Sequence, residues 1–476
     1  QKICHCMVKM INNSSTATPV HFVNPPSDGG AAASWPCPPP QGGETNGFAT
    51  LPEGPSIDVE DNYVAEFSLP QEALSYQPTE DVLICKFKNG DTERKIYNNV
   101  KLRDPELENL QKLRKEAAGK AFLPSISVMG ARYLNQSRGD REKALKAMLE
   151  TQKWKLSYFS SPMNTARLAE DLGTGMTYFI GRDRCLRPTL MFRGNRIPAQ
   201  WHKDKQYDRM TDMFIFCMEY FLRYMIVPGR VEGMNILVDL KGLSIGQIPV
   251  TPLEKVYKTV GAHYCGRTFK FYVVNMPWTL RVLVGVAKGI ISERQAMKIA
   301  IISNSDELFE EFAPHQLEQD LGGTHPPVKT FFPFPLAQGP FDSGHTGGPS
   351  PERVPNVHRV LTALGSRGRL WETSKSHEDN TKLDYSQEAK EILNQCGLPV
   401  PGHCPGADTD DTAAIVENPL QAEAPVPEPM QEKSNGIEIS PTQGDDKTID
   451  DEESDEKVVK PKSCFSCACF TRTSGK

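Results

Sequence analysis

The sequence predicts an α/β fold with a mostly parallel sheet, and three apolar runs of strand length support that prediction. The runs are Met234–Asp239, Phe269–Asn275 and Lys298–Ser303. Each has the length of a buried strand. Leu253–Tyr264 and Trp278–Ala287, which lie between them, have the length of helices. Strands that alternate with helices of this length pair in parallel through right-handed crossovers.

Composition limits the folded part of the 476-residue chain, because its 38 prolines and 36 glycines are concentrated towards the two ends. The net charge of −6 is unevenly distributed. Residues 402–456 hold 16 acidic residues and two lysines, a net charge of −14, which leaves +8 for the remainder. A mildly basic body is consistent both with attraction to an anionic membrane surface and with an ordinary solvated face.

The cysteines and the apolar runs narrow the class of protein. No run approaches the roughly 20 apolar residues that a membrane span needs. The longest candidate, Trp278–Ile291, is interrupted by Arg281 and Lys288. The 12 cysteines form no regular framework of spacings, which favours reduced thiols in a cytoplasmic protein.

The chain divides by composition into seven segments. We predict a disordered segment at 1–55 and a segment of uncertain structure at 56–104, with half of a hairpin near the Asn-Gly turn that follows Asp81–Lys88. Five further segments follow: a helical lobe at 105–170, an α/β domain at 171–328, an extended Pro/Gly strap at 329–360, a mostly disordered acidic tail at 361–456 and a cysteine-rich basic terminus at 457–476.

Local signals define several elements inside this frame. Asp140 is a plausible N-cap for a helix that carries apolar residues at helical spacing up to Trp154. Tyr178–Phe192 predicts two strands around a polar turn, with Pro188 opening the second strand. Tyr207–Ile226 predicts a long helix that stops at Pro228 and Gly229.

Four motifs in one order resemble the CRAL-TRIO lipid-exchange family. They are Gly181–Pro188, Val238–Ser244, Phe269–Pro277 and Leu317–Thr324. The helical stretch 130–158 is similar to the small N-terminal lobe of that family, and the resemblance covers about 122–328. It implies a bowl with a sheet floor, helical walls and an apolar gate helix over a cavity for one lipid.

The residues themselves are consistent with a gate helix, although without the resemblance they favour an ordinary core helix. The segment that starts at Trp278 has no clean polar stripe, and a helix that is apolar on all sides must be buried or meet something apolar. Gly285 and Gly289 weaken this helix by about 1 kcal/mol each relative to alanine, which suits an element that opens. An ordinary core helix is the alternative. The predicted gate residues are Trp278, Leu280, Leu283, Val284 and Val286.

The resemblance also implies where a lipid would bind. Family members that carry phosphatidylinositol use basic residues near the phosphate, and the matching positions are Arg267, Lys298, Arg138 and Gln295, the last in place of a hydroxyl. The positions that hold choline lipids in other members are the apolar Met234 and Ile236, so inositol lipids or a wholly apolar ligand fit better. The predicted cavity wall comprises Met234, Ile236, Val238, Phe271 and Val273.

Enzymatic alternatives have weaker signals. Gly242–Gly246 matches a Gly-x-Ser-x-Gly elbow around Ser244, but Pro249 and Pro252 delay the helix that an oxyanion hole needs. Asp239 and Lys241 could form a catalytic pair, although a strand-end carboxylate that fixes backbone N–H groups is the simpler interpretation. No phosphate-binding glycine loop, cofactor site or metal site is expected, and the basic residues lack the aromatic interleaving of a nucleic-acid surface.

The chain terminus carries a separate signal. Three cysteines lie among basic and aromatic residues in a segment of disordered composition. A zinc site needs four ligands, so S-acylation is the better hypothesis, with unmodified thiols as the alternative. Two acyl chains, or one chain plus basic residues, would anchor the protein stably. The candidate positions are Cys464, Cys467 and Cys469.

These observations predict a protein without covalent chemistry that binds one lipid and exchanges or presents it at membranes. Its expected partners are a lipid ligand and a membrane surface, and nucleic acid is not expected. A non-exchanging lipid sensor or scaffold and a serine hydrolase that uses Ser244 remain as alternatives.

Overall fold

The computed structural model describes residues 48–87, 90–98, 100–243, 249–277, 294, 297–341 and four isolated positions between 354 and 391. The chain divides into two units, 1–403 and 404–476, and every described residue belongs to the first. Several predicted residues lie outside the described ones, namely Trp278, Leu280, Leu283, Val284, Val286, Ser244, Gln295, Cys464, Cys467 and Cys469.

A five-stranded sheet forms the centre of the fold, as the apolar runs predict. Its strands are β7 (Thr177–Arg182), β8 (Pro188–Arg193), β9 (Met234–Asp239), β10 (Thr268–Val274) and β11 (Ile299–Ile301), in the spatial order β11-β10-β9-β8-β7. β8 to β11 run parallel, and β7 pairs antiparallel with β8. The mixed α/β fold with a mostly parallel sheet is therefore confirmed.

Six short strands form three two-stranded sheets outside the central one. They are β1 (Ala49–Thr50) with β5 (Ala121–Phe122), β2 (Ile57–Asp58) with β6 (Met163–Asn164), and β3 (Ile84–Lys86) with β4 (Thr92–Arg94). The last pair is antiparallel, so the Asn-Gly signal does mark a hairpin. We refer to residues 84–94 as the N-terminal hairpin.

The helices begin and end close to where the local signals predict. Asp140 caps its helix as expected, since its side chain accepts a hydrogen bond from the backbone N–H of Lys143. The helices are α1 (Gln71–Ser75), α2 (Glu80–Leu83), α3 (Asp104–Glu116), α4 (Pro124–Ser127), α5 (Gly130–Gln136), α6 (Arg141–Tyr158), α7 (Thr165–Gly173), α8 (Ala199–Asp204), α9 (Tyr207–Tyr224) and α10 (Val250–His263). Among the helices in this part of the chain, none combines the length and hydropathy that crossing a membrane requires.

Residues 48–55 differ from the sequence prediction, which assigned them to a disordered segment. Phe48 is buried with its ring 5.5 Å from that of Phe122. The carboxylate of Glu53 accepts hydrogen bonds from the backbone and side chain of Ser125. Composition misjudges this stretch because Phe48 is buried against a residue more than 70 positions away rather than against its neighbours.

One face of the sheet is closed by the segment that follows β11. Arg193 at the end of β8 donates to Asp239 and Glu318 at 2.7 Å each. Asp239 also accepts from the backbone N–H of Lys241 at 2.9 Å. Asp239 therefore acts as the strand-end carboxylate of the simpler interpretation, and the side chain of Arg193 fixes residues 318–320 against the sheet.

The close contact of β7 with this closing segment generates a prediction about stability. A Cβ atom on Gly181 would lie 2.3 Å from the backbone oxygen of Gln316, a contact that only movement of the backbone could relieve. We expect Gly181→Ala to lower the free energy of unfolding by about 2 kcal/mol or more. Gly173→Ala is the control, because nothing lies within 4 Å of its Cβ position. Equal urea midpoints for the two variants would contradict the packing.

Candidate functional site

Three charged residues lie at the edge of the sheet where the parallel strands begin. Glu232 precedes β9, Arg267 precedes β10 and Lys298 precedes β11. The starts of neighbouring parallel strands lie at the same edge, so these three residues come together although 66 positions separate the first from the last. We call this group, with the residues that contact it, the strand-start cluster.

The carboxylate of Glu232 accepts several hydrogen bonds within the strand-start cluster. It accepts backbone N–H groups from Tyr97 at 3.1 Å, Asn98 at 2.9 Å and Gly229 at 2.8 Å. It also pairs with the guanidinium of Arg132. The side chain is fully buried, so these donors replace the water that a buried carboxylate loses.

Arg267, a predicted head-group residue, is buried beside this carboxylate. Its side chain is 1% exposed, and its Nη1 donates to the backbone oxygen of Glu232 at 3.1 Å. Burial and the charge of Arg132 lower the pKa of Arg267 to about 9, against a raising effect of Glu232. Its Nε has no hydrogen-bond partner among the described residues. Arg267 therefore carries a donor that the described protein leaves unused.

The helical lobe contributes a different arginine from the one predicted. Arg138 lies in the exposed turn between α5 and α6, and no side-chain hydrogen bond or ion pair joins it to the strand-start cluster in the described part of the chain. Arg132, on α5, instead reaches Glu232 and donates to the backbone oxygen of Gly266 at 3.2 Å. The lobe thus supplies one basic side chain to the cluster, from a position six residues earlier.

Lys298, the second predicted head-group residue, shares a carboxylate with the N-terminal hairpin. The two oxygens of Glu93 lie 3.0 Å from the Nζ of Lys298 and 2.9 Å from the Nζ of Lys95. Burial alone would raise the pKa of Glu93, but the two lysines lower it to about 2. Glu93 is therefore ionised at neutral pH. Burial also lowers the pKa of Lys95, which Glu93 partly offsets.

The hairpin makes a second contact with the segment before β11. Asp91 pairs with Arg294 through two hydrogen bonds of 2.8 and 3.1 Å. Arg294 also donates to the backbone oxygens of Thr92 at 2.6 Å and Asn135 at 2.9 Å. A guanidinium with four hydrogen bonds to three residues holds one orientation. Residues 91–95 are thus fixed at two points, to Arg294 and to Lys298.

An apolar face of the sheet begins beside this cluster. Residues paired across neighbouring strands share a face, so Ile236, Phe271 and Ile299 form one row, and Val238, Val273 and Ile301 form the next. On β8 and the start of β9 this face is buried beneath α9, whose Phe214 ring lies 5.6 Å from that of Phe192. Towards β11 its side chains are only partly buried. We call the partly buried part the open apolar face: Val238, Phe271, Val273, Ile299 and Ile301.

The five predicted wall residues therefore fall into two groups. Met234 is fully buried and Ile236 nearly so, which places them in the packed core. Val238, Phe271 and Val273 belong to the open apolar face, where Tyr257 of α10 packs with its ring 6.0 Å from that of Phe271. The motifs could not separate the groups, because strand alternation fixes the face of a residue but not what covers it.

Sequence reasoning missed Glu93, Lys95, Arg132 and Glu232. The hairpin was recognisable from its turn, but nothing in residues 91–95 indicates a partner more than 200 positions away. The sequence analysis considered the carboxylate at the end of a strand, Asp239. It had no pattern that singles out a carboxylate before a strand, which is the position of Glu232. No group of His, Cys, Asp and Glu suited to a metal ion occurs within the described ranges.

This geometry defines an α/β domain with a charged cluster at its strand starts and an open apolar face beside it. Residues 172–323 match the CRAL/TRIO domain. Residues 172–323 are thus similar to the CRAL-TRIO family, and the resemblance drawn from the four motifs is confirmed.

The relatives agree with this assignment. A CRAL-TRIO domain-containing protein of Schizosaccharomyces pombe is 24% identical over 40% of this chain and 18% of its own length. Phosphatidylinositol transfer protein CSR1 of Eremothecium gossypii is 23% identical over 64% of this chain and 78% of its own. Sec14 cytosolic factor of Schizosaccharomyces pombe is 30% identical over 20% of this chain and 35% of its own. The chain thus spans under a fifth of the first of these proteins.

Among solved structures, a crystal structure of Sfh5 is similar, with a TM-score of 0.36 and 12% sequence identity. The similarity covers 48% of this chain and 90% of that one.

The buried carboxylate of Glu232 generates a second prediction. Glu232→Gln keeps the size of the side chain but leaves Arg132 and Arg267 without a buried counter-charge. Breaking a buried ion pair in this way costs about 3 kcal/mol of unfolding free energy. Glu108→Gln is the control, because its pair with Lys112 on α3 is exposed and should not measurably affect stability. Chemical denaturation of both variants provides the measurement, and similar losses in the two would contradict the role of Glu232.

Proposed function

We propose that this protein binds one lipid with its acyl chains on the open apolar face and its head group at the strand-start cluster, and exchanges it at membranes. The observation that carries the proposal is the position of partly buried apolar side chains beside a surplus of basic ones. Burying apolar surface favours binding by roughly 25 cal/mol per Å². A phosphate is attracted to lysine and arginine. One amphipathic ligand satisfies both requirements.

An inositol phospholipid is the head-group class that we favour. Lys298 and Arg267 occupy the positions that the family resemblance predicts, and the relative from Eremothecium gossypii is named as a phosphatidylinositol transfer protein. The apolar Met234 and Ile236 replace the hydroxyls by which other members hold choline lipids. We further propose that Trp278–Ile291 forms the gate through which the lipid enters at a cytosolic membrane surface.

Vesicle assays test this function directly. The full-length protein should transfer labelled phosphatidylinositol between vesicles faster than phosphatidylcholine. Mass spectrometry of the lipids that co-purify with it should show one lipid class enriched. Retention of a lipid without transfer would favour the sensor or scaffold alternative. Ser244→Ala should leave transfer unchanged, whereas ester hydrolysis that disappears in this variant would favour the hydrolase.

A substitution on the open apolar face gives the third prediction. Val273→Trp places a large side chain where the acyl chains would lie. Each excluded methylene costs about 0.8 kcal/mol of binding, so the loss of two lowers lipid transfer by about tenfold. Leu156→Trp is the control, because Leu156 is 54% exposed on α6, away from the sheet. Equal transfer by the two variants, with matching circular dichroism spectra, would exclude this face as the binding surface.

The terminal cysteines give the fourth prediction. We propose that Cys464, Cys467 and Cys469 are S-acylated and, with the neighbouring basic residues, anchor the protein to the membrane. Metabolic labelling with an alkynyl palmitate analogue should mark the wild-type protein, and replacement of all three cysteines by serine should abolish the label. Undiminished labelling of the triple variant would refute the anchor.

A further inference from the structure

The N-terminal hairpin places a carboxylate where a ligand phosphate would be expected. Glu93 bridges two ammonium groups, with one oxygen near Lys95 and the other near Lys298. Glu93 and Lys95 lie outside residues 172–323, which match the family, whereas Lys298 lies inside them. The side chain of Glu93 is 5% exposed and that of Lys298 is 27% exposed. A ligand could therefore reach the lysine without unfolding the hairpin.

The charges around this bridge do not balance. Lys95, Lys298, Arg132 and Arg267 supply four positive charges. Glu93 and Glu232 supply two negative ones, and these are the acidic partners that the described contacts give this group. The neighbouring Arg94 and Arg294 each have their own partner, Glu106 and Asp91. The group thus holds two uncompensated positive charges, and the buried Nε of Arg267 is without an acceptor among the described residues. Such an environment stabilises an added anion.

The chemistry of the bridge fits one kind of anion. A phosphodiester carries a single negative charge on two free oxygens, as a carboxylate does, so it can span the same two ammonium groups. The hairpin has attachments that do not involve Glu93, through Asp91–Arg294 and through the N–H groups of residues 97 and 98 on Glu232. Replacement of Glu93 by the phosphate therefore leaves the hairpin attached. Both carboxylates would repel a phosphate that entered while Glu93 remained bridged.

We propose that Lys95 binds the ligand phosphate together with Lys298, and that Glu93 is an internal counter-ion which the phosphate must displace. This inference rests on the proposed function, and it adds to it Glu93 of the N-terminal hairpin and Lys95, which follows directly after the hairpin. When no ligand is bound, the carboxylate of Glu93 holds the two lysine side chains in place. A ligand must bind these lysines more tightly than Glu93 does, and a neutral or weakly anionic ligand does not. The hairpin thereby determines selectivity for phosphate-bearing lipids.

Calorimetric titration of the full-length protein with glycerophosphoinositol, a soluble head group without acyl chains, tests the proposal. Glu93→Gln removes the competing charge and should bind this probe about tenfold more tightly than the wild type, while Lys95→Gln should bind it about tenfold more weakly. Glu106→Gln is the matched control, because it removes the carboxylate partner of Arg94 on the same strand and touches neither lysine. It should bind the probe as the wild type does.

Transfer of phosphatidylinositol between vesicles separates this proposal from the proposed function. If the phosphate that binds here belongs to a lipid, Glu93→Gln should raise phosphatidylinositol transfer and Lys95→Gln should lower it. The variants should then rank in the same order for transfer as for affinity towards the probe. If no variant transfers any lipid but the probe affinities follow this order, the anion site stands and the lipid function fails. If transfer occurs and the affinities for the probe are equal in all variants, the exchange of Glu93 is overturned.

A variant that is less stable than the wild type could bind the probe more weakly for that reason alone. Thermal melting with and without the probe separates the two effects. The shift in melting temperature caused by a fixed concentration of glycerophosphoinositol depends on ligand affinity even when a variant starts from a lower melting temperature. The shift should be larger for Glu93→Gln than for the wild type, and smaller for Lys95→Gln. The reverse order would refute the proposal.

Discussion

The arrangement of the site depends on the ion pair and the hydrogen bonds that the buried carboxylate of Glu232 makes. It joins the strand that it precedes to α5 through Arg132 and, through two backbone N–H groups, to residues 97 and 98, which follow the N-terminal hairpin. Arg132 is 100 positions from Glu232 in the chain, and Tyr97 is 135 positions from it. Because an unpaired charge in this position would be costly, all of them must be in place together. The lobe, the hairpin segment and the sheet are thus held as one site.

The two edges of the parallel sheet carry different chemistry. At the strand ends, Arg193 and Asp239 lie in a network whose acceptors and donors are satisfied by residues 318–320. At the strand starts, positive charges exceed negative ones among the residues that the structure describes, and a buried arginine donor has no acceptor among them. Buried polar groups that are fully paired stabilise a fold, whereas unpaired ones mark places where something else can bind. We therefore propose that the strand ends stabilise the fold and that the strand starts bind the ligand.

The open apolar face differs in burial from the rest of the same sheet face. Its side chains continue rows that are closed beneath α9 on the neighbouring strands, so the change in burial occurs within single rows of paired residues. In the proposed function, the acyl chains of the lipid occupy this face. Glu93 and Lys95 lie at the strand starts and not on this face, so we propose that they act on the head group instead.

The sequence by itself determined the α/β class, the parallel strands, the capped helix at Asp140 and the family, because each depends on local periodicity or on motifs in a fixed order. It also placed Lys298 and Arg267 correctly at strand starts. Only the tertiary structure decided that Phe48 is buried, that Arg132 rather than Arg138 joins the cluster, and that Met234 is core while Val273 is partly exposed. Those outcomes depend on pairing between distant segments. A single sequence contains no signal for such pairing, since a charge or an apolar side chain looks the same whichever partner it meets.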